Sequence, residues 1–199
     1  MSNIIKIKDV TKKFNDKIIF EKLNLEIEKN KITTIKAKSG FGKTTLARII
    51  AGIDNEYEGK VELSSGIEKK DIVLMFQEDR LIENVSVYKN LKLVKNNRDL
   101  ILDYLIDFEI ESKMDTLVSK LSGGMKRRVA LIRSLLLDKK VVILDEPFNG
   151  LDSKIKEKII NTIKDIQKKK KITMVVITHN EIDAKNISDT IIELDNLVK

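Results

Sequence analysis

The stretch from Thr33 to Gly52, TTIKAKSGFGKTTLARIIAG, constrains the fold more than any other part of the chain. Its pattern predicts an apolar strand over Ile32 to Ile35 and a small-residue loop over Ala37 to Gly42. A helix then follows over Lys43 to Ala51, with Leu46, Ile49 and Ile50 on its buried face. A strand that turns through glycines into a helix presents backbone N–H groups and the positive helix end to an anion. This is the layout of a phosphate-binding loop, in which Lys43 would reach terminal phosphates and the Thr44 hydroxyl would ligate Mg²⁺. The usual spacing is G-x-x-x-x-G-K-[ST], and here the first glycine is Ala37. If that position needs a positive φ, the alanine methyl costs about 1 kcal/mol.

With 199 residues, 42% of them hydrophobic, the chain can bury one sizeable core. Residues 1–199 are therefore expected to form a single domain. Cysteine is absent, which leaves no disulfide framework and no thiolate metal site. Met1 to Val10 alternates lysine with isoleucine instead of forming an apolar export signal, and no apolar run is long enough to span a bilayer. Any action at a membrane is expected to go through a partner. The net charge is +7, but the excess is mostly lysine scattered beside acids, and aromatic residues make up only 5%. That composition argues against direct nucleic-acid binding as the main role.

Along the chain, Ile4 to Val10 and Leu23 to Ile27 alternate apolar and polar residues. They read as half-buried antiparallel strands, with Asn15-Asp16 and Lys29-Asn30 as turns and Phe14 at the first turn. Gly52 reads as a helix C-cap, and Lys60 to Leu63 and Ile72 to Phe76 as strands, with Gln77 just past the second. Between Ser86 and Ile110 apolar residues recur at helical spacing, which predicts a small helical subdomain over about 80–135. Leu121-Ser122-Gly123-Gly124-Met125 leads into a helix with Ser122 as its N-cap.

Val141 to Leu144 is a continuous apolar run, as in a strand buried on both faces, and it ends in Asp145-Glu146-Pro147. Two carboxylates there are costly without a cation or a chemical role. Asp145 can bind Mg²⁺ through water, and Glu146 can polarise an attacking water. Gly150-Leu151-Asp152 precedes a helix over Lys154 to Lys169 that Asp152 or Ser153 can cap. Val175 to Thr178 forms another buried strand, ending at the single histidine, His179, and Ile191 to Leu194 forms the last.

In order and spacing these motifs resemble the ATP-binding subunit of ABC transporters over nearly the whole chain. They hold five of the eight glycines, the only proline and the only histidine. The resemblance implies an α/β, P-loop NTPase fold with an ABC-type ATPase core. That core is a mostly parallel sheet flanked by helices, with an N-terminal antiparallel β subdomain and a small helical subdomain. It implies that Phe14 stacks on adenine and that Ser39, Gly40, Gly42, Lys43, Thr44 and Thr45 hold the phosphates. Thr44, Gln77 and Asp145 would arrange Mg²⁺, Glu146 would activate water, and His179 would steady the γ-phosphate. In this family two cassettes sandwich two ATP molecules head to tail. Ser122, Gly123 and Gly124 would therefore complete the site of a second ATPase subunit, identical or closely related, with Asp152 in the D-loop.

The partners so implied are transmembrane permease subunits, met at the cytoplasmic face of the membrane by a peripheral protein. Phe76-Gln77-Glu78-Asp79-Arg80-Leu81 looks like importers of the nitrate, sulfonate and taurine type. The chain is somewhat short for a cassette, and Met125 stands where glutamine is usual. Two other functions compete with a transport ATPase. One is an ATP-dependent switch with little turnover, motivated by Ala37 and Met125. The other is a non-transport ABC ATPase acting on nucleic acid or ribosomes, motivated by the charge.

Overall fold

Alternating residues at the start of the chain produce two long strands. In the computed structural model, which describes residues 2–15, 17–38 and 40–197, β1 (Asn3–Phe14) and β2 (Lys17–Glu28) pair antiparallel, with Ile5 opposite Ile27 and Ile7 opposite Leu25. Ile5, Ile7, Leu25 and Ile27 bury on one face, while Lys6 and Glu26 pair on the other. Of the expected Asn15-Asp16 turn, Asn15 has a left-handed φ of 50° and Asp16 lies outside the described residues.

β3 (Ile32–Lys36) runs into the loop and then α1 (Lys43–Ile50). Gly52, at φ 70°, turns the chain out of that helix. β4 (Glu58–Leu63) then returns to the free edge of β1, giving an antiparallel sheet in the order β2-β1-β4. The antiparallel unit is thus closed by a strand from beyond the phosphate-loop helix, a non-local pairing that alternation alone does not reveal.

β5 (Ile72–Met75) precedes the helical part. The expected helical stretch divides in two: Ser86 caps α2 (Val87–Lys92) and Asn97 caps α3 (Arg98–Asp107), each through its side-chain oxygen. α4 (Gly123–Leu136) packs against both. The remaining elements are β6 (Val141–Asp145), α5 (Ser153–Lys170), β7 (Thr173–Thr178), α6 (Glu181–Ile187) and β8 (Thr190–Glu193).

Five strands form a parallel sheet in the order β5-β6-β7-β3-β8. Its central strands are buried on both sides, and their alternation decides which core each side chain joins. Val142, Leu144, Met174 and Val176 face the helical layer, whereas Val141, Ile143, Val175 and Ile177 face α1 and the antiparallel sheet. This explains the unbroken apolar run in β6. Because β7 lies between β3 and β6, the loops leaving the carboxyl ends of all three strands meet at one edge. Crevices at the carboxyl ends of parallel strands are where ligands bind in such sheets. Among the described residues, no helix is long and apolar enough to cross a membrane.

Candidate functional site

A cleft of about 410 Å³ opens at that edge, lined by Ile19, Gly40, Gly42, Lys43, Thr44, Thr45, Gln77, Asp145, Glu146, Asn149 and His179. Gly42 forms the entry to α1 at φ 80°, and a Cβ there would lie 2.4 Å from the Ile19 side chain. Both the backbone conformation and the close approach therefore demand glycine. α1 has no side-chain cap and no acid in its first turn, so its leading N–H groups are left for an anion in the cleft. The Lys43 ammonium is held by the carbonyls of Ala37, at 2.7 Å, and Lys38, at 2.8 Å. An ammonium has three donors, and two are used here. Ser39 lies outside the described residues.

Ala37 is buried in the core that faces α1 and the antiparallel sheet and does not have a positive φ; the left-handed residues of the described loop are Gly40 and Gly42. The strain that its methyl would cause at a positive φ is therefore absent.

Opposite the loop, the Thr44 hydroxyl donates to Asp145 Oδ2 at 2.8 Å. Burial pushes the Asp145 carboxyl above the ordinary carboxylate range, and the adjacent Glu146 charge adds to this. The Thr44 hydrogen bond and the charges of Arg127 and Lys43 oppose it. Glu146 follows at a left-handed φ of 49°, an uncommon conformation for a residue with a side chain. Its N–H donates to the Ile177 carbonyl at 2.8 Å, while its side chain receives the Thr178 hydroxyl on Oε2 at 3.3 Å and faces His179 Nδ1 from Oε1 at 2.8 Å. The carboxylate is buried and the imidazole is half-exposed.

Sequence patterning does not single out Arg127, yet this side chain is 3% exposed. It reaches from α4 to the carbonyls of Phe76 and Gln77 on one side and of Asp145 and Glu146 on the other. A charged residue in a helical pattern reads as a solvent face. The signal available was its place five residues after the Ser122 cap, between two other basic residues. Asn149 and Ile19 also line the cleft without having been singled out.

Several expected residues lie away from this cleft. The Phe14 ring is half-exposed, with the Lys12 ammonium 4.8 Å from its centroid, and it lines a neighbouring hollow with Arg48, Phe76 and Arg80. The Ser122 hydroxyl caps α4 by accepting from Met125 N–H. Ser122 and Gly123 are exposed, and Gly123 has open space where a Cβ would stand. A Cβ on Gly124 would lie 2.7 Å from the Gly150 carbonyl, so the two glycine turns pack directly on each other. Asp152 caps α5 at 3.0 Å from Ile155 N. Met125 packs its side chain against the helical core.

The ABC transporter family profile matches residues 20–149. The Fe(3+) ions import ATP-binding protein FbpC of Photobacterium profundum is 33% identical over 204 residues, covering 96% of this chain and 58% of that protein. The spermidine/putrescine import ATP-binding protein PotA of Clostridioides difficile is 35% identical over 207 residues, covering 96% of this chain and 59% of that protein. The chain thus spans less than two thirds of the length of these relatives. Among solved structures, a bacterial ABC transporter cassette determined as a dimer superposes with a TM-score of 0.84 at 28% identity, covering 96% of this chain and 94% of that one.

Proposed function

The chain belongs to the ABC transporter family, and we propose on that footing that it binds and hydrolyses ATP to energise transport through separate transmembrane permease subunits at the cytoplasmic face of a membrane. The observation that carries this reading is the meeting, in one cleft, of an uncapped helix N-terminus with Lys43, the Thr44–Asp145 pair and the Glu146–His179 pair. The first binds phosphate, the second suits a hard cation, and the third can handle a proton. Residues 1–199 are taken as one cassette, with the helical part at about 80–135.

The fit to Mg²⁺ rests on donor chemistry. The Thr44 hydroxyl and Asp145 carboxylate are oxygen donors already in contact, and Gln77 lines the same cleft. Among the described residues no group of three or more His, Cys, Asp or Glu could hold a metal by itself. A cation here would therefore share phosphate oxygens, as Mg²⁺ does in nucleotide sites. When bound, it supplies neutralisation of developing phosphate charge.

Lys43 and the α1 amides hold the phosphates, with Ser39, Gly40, Gly42 and Thr45 of the loop. Glu146 accepts a proton from the attacking water, and His179 keeps that carboxylate oriented. Phe14, at the tip of the hairpin whose other strand brings Ile19 onto the cleft wall, serves as a platform for the adenine. Ser122 and Gly123, exposed and outside the lining of this cleft, serve a second cassette together with Gly124 and Asp152. A helix N-terminus with free space in front of Gly123 is suited to meet a phosphate from outside.

The cargo belongs to the membrane partners. The relatives described above are named for iron(III) and polyamine import, so the local likeness to nitrate, sulfonate and taurine importers stays a proposal about type. Ala37, free of strain, removes one motive for a slow switch.

The test is Mg-ATP turnover by wild type, Glu146→Gln and Lys43→Ala across a range of protein concentrations. Turnover that rises faster than linearly and disappears in both variants, with an ATP-bound dimer accumulating for Glu146→Gln, is the expected result. A Glu146→Gln protein that binds ATP but stays monomeric would refute the paired-cassette mechanism.

A further inference from the structure

We propose that Arg127 is a positioning residue of the hydrolytic site, whose guanidinium locks the backbone carrying Gln77 to the backbone carrying Glu146. The proposal rests on the ATPase reading above and adds to it a residue outside the motifs that support that reading.

One terminal nitrogen of Arg127 donates to the carbonyls of Phe76, at 3.1 Å, and Gln77, at 2.9 Å, and to Asp79 Oδ1, at 2.9 Å. The other donates to the carbonyls of Asp145 and Glu146, the latter at 2.6 Å. A buried guanidinium that served only to balance charge would face carboxylates, but four of these five acceptors are main-chain oxygens. They belong to the two segments that leave neighbouring strands. The parallel register of β5 and β6 ends at Met75 opposite Leu144, one residue before the first carbonyls that Arg127 takes. The side chain continues the connection where the ladder stops.

This matters for Glu146 in particular. Its left-handed φ gives the carboxylate its direction, and that conformation persists only if the surroundings hold it. Ile177 holds the N–H of Glu146 and Arg127 holds its carbonyl, so both sides of the residue are fixed. Arg127 Nε is buried with no partner among the described residues, so the side chain is placed for its two terminal nitrogens, even at the expense of a third donor. The planar fork is what spans both segments; an ammonium is a point charge that serves one of them.

The experiment compares wild type, Arg127→Gln and Arg127→Lys in the full chain. It measures the affinity for a fluorescent ATP analogue, kcat for Mg-ATP, and amide hydrogen exchange over residues 76–80 and 145–149. We expect Arg127→Gln to keep its affinity within about threefold while kcat falls about 100-fold, the scale of a misplacement of about 1 Å in a catalytic group. Exchange should accelerate in both segments together, and Arg127→Lys should fall between wild type and Arg127→Gln in kcat. A folded variant with kcat within about twofold of wild type overturns the proposal. So does equal loss of affinity and kcat accompanied by exchange throughout the molecule, which is the mark of a purely structural role. Should Arg127→Gln fail to fold, Arg127→Lys decides by the same criteria. Should wild type show no turnover, the ATPase reading fails, and exchange alone decides: acceleration confined to one segment rejects the lock, and joint acceleration supports it.

Discussion

His179 Nδ1 lies 2.8 Å from Glu146 Oε1, joining the residue after β6 to the residue after β7 across the end of their shared ladder. The Thr178 hydroxyl occupies the other carboxylate oxygen, and the Asn180 N–H in turn donates to that hydroxyl at 3.1 Å. The carboxylate is thereby aimed from three consecutive residues of one turn. Only the imidazole among them is broadly open to solvent.

From this pair we expect His179→Ala to lower kcat for Mg-ATP about 100-fold, the scale of misplacing the Glu146 carboxylate by about 1 Å. ATP affinity should change less than about threefold, because in the proposed reading α1 and Lys43 hold the phosphates. Combining it with Glu146→Gln should add little to the loss from Glu146→Gln alone, since the two act as a unit. Additive losses in that double variant would show His179 working independently of the carboxylate.

Ala37→Gly addresses the one departure from the usual phosphate-loop spacing. Ala37 is buried without a positive φ, and its carbonyl receives Lys43. Glycine would remove a packed methyl and loosen the backbone without relieving any strain. We expect about 1 kcal/mol lower stability in denaturant unfolding and kcat within about twofold of wild type. A sharp rise in turnover would revive the slow-switch reading.

Much of this site was legible because strand ends in a parallel sheet interrupt apolar runs abruptly. Asp145 and Glu146 after Val141 to Leu144, and His179 after Val175 to Thr178, are conspicuous for that reason. Ser122 and Asp152 as caps could be read from residue type and position. Other features depend on partners distant in sequence. The place of β4 beside β1 is set by a pairing across some fifty residues, with Ile5 opposite Leu63. α6 went unread because a helix of seven residues gives too little periodicity, although Asn180 caps it at 3.0 Å from Asp183 N. Arg127 went unread because its acceptors are carbonyls, which every residue has and no sequence pattern distinguishes.

Phe14 is the expected adenine platform, and its placement invites the most direct test. Its ring lies in a hollow beside the cleft with one side toward Lys12, and the hairpin it ends carries Ile19 onto the cleft wall. If adenine stacks on it, Phe14→Ala should weaken ATP binding about tenfold, in line with the cost of losing one base–aromatic stack. The residual affinity should then be nearly the same for ATP and for inorganic triphosphate. Unchanged ATP affinity in Phe14→Ala, with a loss in Ile19→Ala, would put the base against β2 instead.

Asp138 offers a pH test well away from the cleft. Its Oδ1 accepts from Lys170 at 2.6 Å and its Oδ2 from Lys95, tying the end of α5 to the chain just past α2. Burial pushes this carboxyl up, but the lysine hydrogen bonds and charges pull it down further and leave it below its ordinary value of 3.8. A carboxyl depressed by folding stabilises the native state above pH 3.8, and that contribution is lost as the pH falls through the lower folded value. Because the side chains are partly exposed, the whole contribution should be small, about 1 kcal/mol or less. Asp138→Asn should therefore melt slightly below wild type at pH 7, and the gap should close under strongly acid conditions, once wild-type Asp138 is itself protonated. A gap that stays constant down to the acid limit would mean that the substitution acts through packing alone and that the two lysines do not hold this carboxyl ionised.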